Sequence, residues 1–509
     1  MIEATDAQDI ERQEDVNGLS RNAQLAGLAC WDDVRGATFT VVGLGKSGVA
    51  AANALVQRGA QVLVVDDAPA EKLSAFLGEL DRRVEVSVGG GPAGRRGDLF
   101  VMSPGIMPHS RRFAEVKALA CAILGEVELF YRLDRASVGG RGHPLVCISG
   151  TDGKTTTTLW TAHLLQKAGF EVAIGGNIGD PLCGFLGKLS DQAIVVAEVS
   201  AFQLYTCSLL RPRAAVVTNI ALDHMDWFQN DLTAYVRTKC KVGDNMGPGD
   251  LLLINGDDAE LIHEREKLSA GVAFGWQPFS VQGVLDRGLG FDGQTLWWSL
   301  SQDAKVALVR ADELGIEGDF PITGVHNVEN ALGASGLALA LGAPLAVIRQ
   351  GLRDFTLPSH RIQPVGQIGG VRFIDDSKAT NPHAAIAGLR ALQPTDGGKL
   401  VWIGGGSEKD ADFGELGDVV GQIASAAILI GQTAERIAAC LPPELPVHRA
   451  ATLEECIPLG LQLAGEKGVV LLSPACASFG MFRNYSHRGD VFREATQALV
   501  KAMGQWKPA

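Results

Sequence analysis

Residues 149–156 read Ser-Gly-Thr-Asp-Gly-Lys-Thr-Thr. They follow the apolar run Leu145-Val146-Cys147-Ile148 and precede a helical pattern through 159–165. A buried strand, a glycine turn, a lysine, a hydroxyl and a helix, in that order, make a cradle for phosphate. Glycines let backbone N–H groups turn toward an anion, and a helix start adds positive potential. Lys154 can reach terminal phosphates, and Thr155 can hold the magnesium that travels with them. The spacing is not that of the standard P-loop: counted back from Gly153, the place of its first glycine is taken by Ile148. The alternative is an ordinary glycine-containing strand–helix turn with a surface lysine. The five features in their working order argue against it.

The chain has 509 residues, enough for about three domains. With 46% apolar and 20% charged residues it has the make-up of an ordinary globular protein. A net charge of −13 argues against a nucleic-acid partner, whose affinity would come from Lys and Arg. It does not argue against a small anionic ligand held in a local cradle. The nine cysteines are scattered and odd in number, with no CxxC or Cys/His cluster. That supports neither a disulfide framework nor a structural zinc site, and a reducing cytoplasm is the simple reading. The acidic, polar N-terminus lacks the pattern of a signal peptide, and no apolar stretch reaches membrane-spanning length, so no membrane insertion is expected. Residues 1–36 read as a mobile extension or a short peripheral helix with no assigned function.

Three α/β segments follow. In the first, a strand at 38–42 runs into Gly43-Leu44-Gly45-Lys46-Ser47-Gly48, a helix to about 58, and a strand at 61–65 ending on Asp66-Asp67. This matches the dinucleotide-binding fingerprint, which by itself marks an anion or nucleotide site and not which nucleotide. A strand at 98–102 leads to Ser103-Pro104-Gly105-Ile106, and Gly139 to Gly142 read as a linker. In the second segment, strands at 193–197 and 214–218 end at Glu198 and Asn219. Residues 272–310 alternate more and suggest a small antiparallel excursion, and 326–341 reads as a helix. After a linker at 355–358, strands are expected at 371–374, 400–403, 426–430 and 468–472. The boundaries expected are 1–36, 37–140, 141–357 and 358–509.

In parallel sheets, ligands gather at the carboxyl ends of strands. Glu198 ends a very apolar strand and is a natural magnesium ligand, the alternative being a helix-capping or surface acid. Asn219 to Asp226 can bind a divalent ion, although His224 taken alone is more often structural. Lys239 falls in a helical run, where a lysine ordinarily covers a solvated face. Asp375-Asp376-Ser377-Lys378-Ala379-Thr380-Asn381-Pro382 directly follows a strand, and so do Gly404 to Lys409 and Ser473 to Ser478. Any one of these can be a charged turn; three in one segment point to a site. Spacing alone reaches a multidomain ATP-using enzyme and stops there.

These residues together resemble the Mur ligases, ATP-dependent amide-forming enzymes of peptidoglycan synthesis, from about residue 37 to the C-terminus. Gly150 to Thr156 is similar to the family's cradle, with Asp152 in place of asparagine and Thr155 in place of serine. The blocks Gly175 to Gly179, Glu198 to Leu204, Asp223 to Asp226 and His326 to Asn330 match too. The first segment and the block Asp376 to Asn381 resemble the branch that adds D-glutamate to UDP-N-acetylmuramoyl-L-alanine. The resemblance implies a Rossmann-like N-terminal domain, a central P-loop-type ATPase domain with a mostly parallel sheet, and a Rossmann-like C-terminal domain. It implies ATP and Mg2+, an acyl-phosphate intermediate, and a monomeric enzyme of the cytoplasm.

Residue by residue, the resemblance assigns Gly150, Thr151, Asp152, Gly153, Lys154, Thr155, Thr156, Asn330, Arg361 and Asp376 to ATP. It assigns Thr155, Glu198, His224 and Lys239 to metal, with Lys239 at the position where the family carries a carbamylated lysine. Lys154, Glu198, His224 and Lys239 are the implied catalytic set. Lys46, Ser47, Asp66, Ser103, Gly105, Asn177, Ser200 and Gln203 fall on the uridine-nucleotide side. Lys378, Thr380, Lys409, Ser478 and Tyr485 fall on the glutamate side, Tyr485 standing where phenylalanine is common. The rivals are a ligase of this family adding another amino acid, such as L-glutamate, and an NAD-dependent dehydrogenase. The latter leaves Lys154, Glu198 and the Asp376 loop without a task.

Overall fold

The computed structural model describes residues 21–503, apart from 29, 224, 269–274, 316–323, 357–358, 393–397 and 408–410, and the main chain alone at 265–268. Three sheets follow one another along the chain. The first has five parallel strands, in the spatial order Glu85–Val88, Gln61–Asp66, Thr38–Val42, Leu99–Met102 and Ala122–Gly125. Its central strands are apolar on both faces because helices cover both.

The middle sheet has nine strands. From one edge run Val172–Gly176, Ile194–Glu198, Leu145–Ser149, Ala214–Val217, Leu251–Asn255, Gly275–Ser280 and Gly288–Phe291, all parallel. Thr295–Ser301 and Ala304–Arg310 complete it as an antiparallel pair. The excursion expected over 272–310 is therefore antiparallel only in its last two strands. Alternation reports that one face is covered, not which way a strand runs.

The third sheet orders Gln363–Ile368, Val371–Asp375, Val469–Leu472, Leu400–Gly406, Ala426–Gly431 and Val447–Arg449, parallel except for the first strand at the edge. All nine cysteines are free thiols. Among the described residues no helix is long and apolar enough to cross a membrane.

Of the described residues before 37, those at 21–26 form a short helix, as one of the two expectations had it, but the segment packs into the first unit instead of lying at its periphery. Leu25, Trp31 and Val34 are buried in the core shared with the first sheet. Trp31 N–H donates to Arg132 O at 2.8 Å, and the Arg132 guanidinium lies 5.1 Å from the Trp31 ring. Three apolar residues without a helical or strand period leave no pattern to read, so only packing reveals them. Trp31→Ala will destabilise the first unit by about 3–5 kcal/mol, as expected for a buried tryptophan, measurable by calorimetric unfolding.

The helix Glu126–Asp134 is buried at all nine positions because it is sandwiched between the first and middle units. Glu128 takes the Arg132 guanidinium at 2.9 Å and accepts the Leu209 and Leu210 N–H groups, each at 3.0 Å. A buried charge is tolerated when paired and hydrogen-bonded in this way. This contact ties the first unit to the middle unit by charge as well as packing.

Candidate active site

The cradle forms where the central strand Leu145–Ser149 gives way to the helix Lys154–Lys167. Gly150 and Gly153 have φ of +130° and +77°. A Cβ on Gly150 would lie 1.9 Å from Thr218 Oγ1, and one on Gly153 2.2 Å from Asn330 Oδ1, so neither position has room for a side chain. The loop is braced from its neighbour strand: Thr151 N–H donates to Asn219 O at 2.9 Å and Asp152 N–H to Asn219 Oδ1 at 2.8 Å. Thr157, one turn into the helix, donates to Asn330 Oδ1 at 3.1 Å. Lys154 heads the helix, and its Nζ donates to Thr151 O at 2.7 Å.

Glu198 is buried at the end of its strand and is no surface acid. Its Oε2 accepts from Thr155 Oγ1 at 2.8 Å, and its Oε1 from Asn177 Nδ2 at 2.8 Å. A hydroxyl and a carboxylate this close at a helix start are the hard oxygen donors magnesium prefers, so the donor set fits that ion. The ordinary expectation for Lys239 fails as well. Lys239 is 3% exposed, and its Nζ donates to Gly150 O at 2.6 Å, beneath the cradle. Burial, reinforced by the charge of Lys154, pushes the Lys239 ammonium well below the ordinary lysine range. The surroundings thus favour the neutral amine over the ammonium.

A cavity of about 230 Å³ joins this cradle to the third unit. From the middle unit it is lined by residues 151–156 with Asn177, Glu198, Asn219, Asp223, Asn330 and their neighbours. From the third unit come Arg361, Asp376, Lys378, Thr380 and Asn381. Arg361 Nε is buried without a hydrogen-bond partner among the described residues, a cationic donor left free on a cavity wall. Asp376 accepts from Ser473 Oγ at 2.7 Å, and burial pushes its carboxyl up to about 7. Lys378 Nζ sits 3.8 Å over the Tyr485 ring, a cation–π contact that holds the ammonium in place.

Beneath these loops lies Arg488, a fully buried cation. It donates to Ser377 Oγ at 2.9 Å, Ser377 O at 2.8 Å and Cys476 O at 3.0 Å, stitching the Asp376 loop to the loop at 473–478. Arg488→Met will leave those acceptors unmatched and destabilise the third unit by about 3 kcal/mol, read by denaturant unfolding. Arg488→Lys will recover only part, because an ammonium cannot reproduce the planar fork.

Of the sequence-stated site residues, Thr151 to Thr156, Asn177, Glu198, Asn330, Arg361, Asp376, Lys378 and Thr380 line the one cavity, with Gly150 and Lys239 directly beneath the cradle. Ser478 lies in the adjoining loop of the third unit, and Tyr485 is the first residue of the helix Tyr485–Ala502. Ser200 and Gln203 form a capping box on the short helix Ala201–Tyr205. Lys46, Ser47, Asp66, Ser103 and Gly105 form a separate group at the carboxyl end of the first sheet, where Asp66 Oδ2 accepts the Leu44 N–H at 2.7 Å. His224 and Lys409 lie outside the described residues. Sequence reasoning missed Arg488 and His383. Arg488 lies inside a helix and carries no local signal. His383 follows Asn381-Pro382, a helix-cap and first-turn pair that places it next to the strand-end loop.

A phosphate cradle that faces a cation-bearing loop from another α/β unit defines a multidomain enzyme of the phosphate-handling class. Family models agree on which: residues 37–125 match "Mur ligase MurD-like, N-terminal domain", 148–338 "Mur ligase middle domain" and 360–476 "Mur ligase, glutamate ligase domain". The UDP-N-acetylmuramoylalanine–D-glutamate ligase of Pelotomaculum thermopropionicum is 36% identical over 466 residues, covering 91% of this chain and 97% of that protein. The enzyme of the same name from Chromobacterium violaceum is 37% identical over 472 residues, covering 91% and 98%. The chain belongs to the Mur ligase family. Solved structures share the fold: the UDP-N-acetylmuramate–alanine ligase of Thermotoga maritima has a TM-score of 0.55 at 19% identity, covering 91% of this chain and 99% of that one. The MurF ligase of Thermotoga maritima, solved in complex with ADP, has a TM-score of 0.56 at 17% identity, covering 80% and 96%.

Proposed function

We propose that this chain is a cytoplasmic, ATP-dependent ligase that joins D-glutamate to UDP-N-acetylmuramoyl-L-alanine, with release of ADP and phosphate, in peptidoglycan precursor synthesis. The observation that carries it is the single cavity in which Lys154, Thr155 and Glu198 face Arg361, Asp376 and Lys378. The curated relatives named for this reaction support the choice of substrates. In this reading residues 37–140 bind the uridine nucleotide, 141–357 the ATP, and 358–509 the amino acid, in a monomer.

A carboxylate is a poor electrophile, so amide formation needs a leaving group. The muramoyl-alanine carboxylate oxygen attacks the γ-phosphorus of ATP and ADP departs. The glutamate amine then attacks the carbonyl carbon of the acyl phosphate, phosphate leaves, and the nitrogen gives up a proton. Lys154 and the free Arg361 Nε neutralise the phosphates and hold them in line. Thr155 and Glu198, with His224 and Lys239, are the residues that would hold Mg2+, which when bound would supply neutralisation of the phosphate charge. Lys378, Thr380, Lys409, Ser478 and Tyr485 receive the glutamate, and Asn330 and Asp376 bound the nucleotide.

The test is an ADP-release assay with UDP-N-acetylmuramoyl-L-alanine and a panel of D- and L-amino acids. Turnover is expected with D-glutamate and at least about 100-fold less with L-glutamate. Equal turnover with another amino acid overturns the specificity. Fluorescence enhancement of NADH on mixing would favour a dehydrogenase instead.

A further inference from the structure

Asp152 puts a carboxylate into a loop built for phosphate. Its main chain is held by the middle unit, through Asn219 Oδ1 at 2.8 Å and through Thr218 Oγ1, which donates to Asp152 O at 2.6 Å. Its side chain is held by the third unit: Asp152 Oδ2 lies 2.6 Å from His383 Nδ1. His383 is the second residue of the helix Pro382–Ala391. The amino end of that helix, capped by Asn381 Oδ1 on the Ala384 N–H at 2.8 Å, lines the same cavity as the cradle.

The charges around the pair favour its ionised form. Asp152 faces Lys154 and Arg361 as well as His383, with His326, Lys239 and Tyr235 farther off. His383 faces Asp152 and Glu415, with Arg390 opposing and Glu329 nearby. The hydrogen bond to Asp152 raises the His383 imidazole above its ordinary value. Burial works against the Asp152 carboxylate, yet His383, Lys154 and Arg361 together hold it below its ordinary range. A carboxylate beside bound polyphosphate repels it unless a cation answers that charge. Lys154 and Arg361 face the cavity and are taken up by the phosphates themselves. His383 contacts Asp152 directly and is the cation that can stay with it.

We propose that His383 is a positioning residue of the nucleotide cradle: its imidazolium neutralises Asp152 from across the gap between units, so that phosphate affinity depends on docking of the third unit. This rests on the cradle being the ATP site. It gives the third unit a hand in nucleotide binding before any amino acid arrives.

The test is calorimetric titration of the non-hydrolysable analogue AMP-PNP, with Mg2+, into the full chain at pH 7 as wild type, H383Q, D152N and the double variant. H383Q keeps a polar side chain without the charge and will weaken binding about tenfold. D152N will bind at least as tightly as wild type. The double variant will return to within about twofold of wild type, because removing the carboxylate removes the need for the cation. Wild-type affinity in H383Q, or a double variant as weak as H383Q, overturns the role of His383. Absence of nucleotide binding by the wild type would instead overturn the reading of the cradle and take this proposal with it.

Discussion

Lys154→Ala will lower ligase turnover by about 10³-fold or more while leaving the fold intact, because the lysine neutralises the phosphates and the charge that shifts between them in the transition state. Its amine is positioned for this by the chain around it. Gly153 in the left-handed region turns the backbone so that Lys154 starts the helix, and the Nζ folds back to Thr151 O at 2.7 Å within its own loop. Nothing in the core depends on that contact, so circular dichroism and the unfolding midpoint will stay close to wild type. Phosphate release at the wild-type rate would remove Lys154 from the chemistry. Lys154→Arg will not rescue, because the guanidinium is longer and planar and the loop around Lys154 is tightly braced. The same substitution has a second, checkable consequence. Lys154 is one of the two causes of the depressed Lys239 ammonium, so Lys154→Ala will let Lys239 titrate higher, with burial still holding it below the free lysine value.

Lys239→Ala will abolish turnover to a similar extent, and millimolar short carboxylic acids will recover part of it. Lys239 is 3% exposed, with its Nζ on Gly150 O and over the Tyr235 ring, so burial favours the neutral amine over the ammonium. A neutral amine can attack the carbon of CO2 and shed a proton to give a carbamate. That exchange replaces an ammonium with an anionic oxygen donor near the cradle, the kind of group a divalent ion binds. Intact-protein mass measurement under CO2 should show the adduct in wild type and not in the variant. Because folding depresses this pKa, the neutral amine is present above the depressed value and is lost as pH falls through it, so carbamylation and activity should fall together on acidification. Full activity of Lys239→Ala without added acid would rule the role out.

Much of the site was legible because it sits where an α/β chain must put it. Strand ends face the crevice, and strand ends are visible as the last apolar residue of a run. That is why Glu198, Asn219 and the Asp376 loop could be named from their positions. The chain's order of strand, glycines, lysine, hydroxyl and helix likewise announced the cradle. Lys239 shows the limit. In sequence it is a lysine in a helix, which ordinarily means solvent, and only the family resemblance reversed that expectation. The structure supplies the physical reason: the helix Leu232–Cys240 carries the lysine under the loop, against Tyr235 and the Gly150 carbonyl. Trp31 shows the same limit for the fold, since its partner Arg132 is about 100 residues away and no local period marks either one.

By itself, then, the sequence determined three α/β segments, the phosphate cradle at Gly150 to Thr156, and the strand ends from which acids and lysines would emerge. These follow from rules that act within a few residues: glycine geometry, the period of apolar residues and the ends of strands. The tertiary structure alone decided that Asp152 answers to His383, that Arg488 is buried between two loops, that residues 21–36 belong to the first unit, and that Lys239 is buried where its ammonium is disfavoured. Each depends on groups far apart in the chain being brought together, and for Arg488 and Lys239 on burial away from water. Charge and pKa are properties of that assembled surrounding, and it has no signature in the local order of residues.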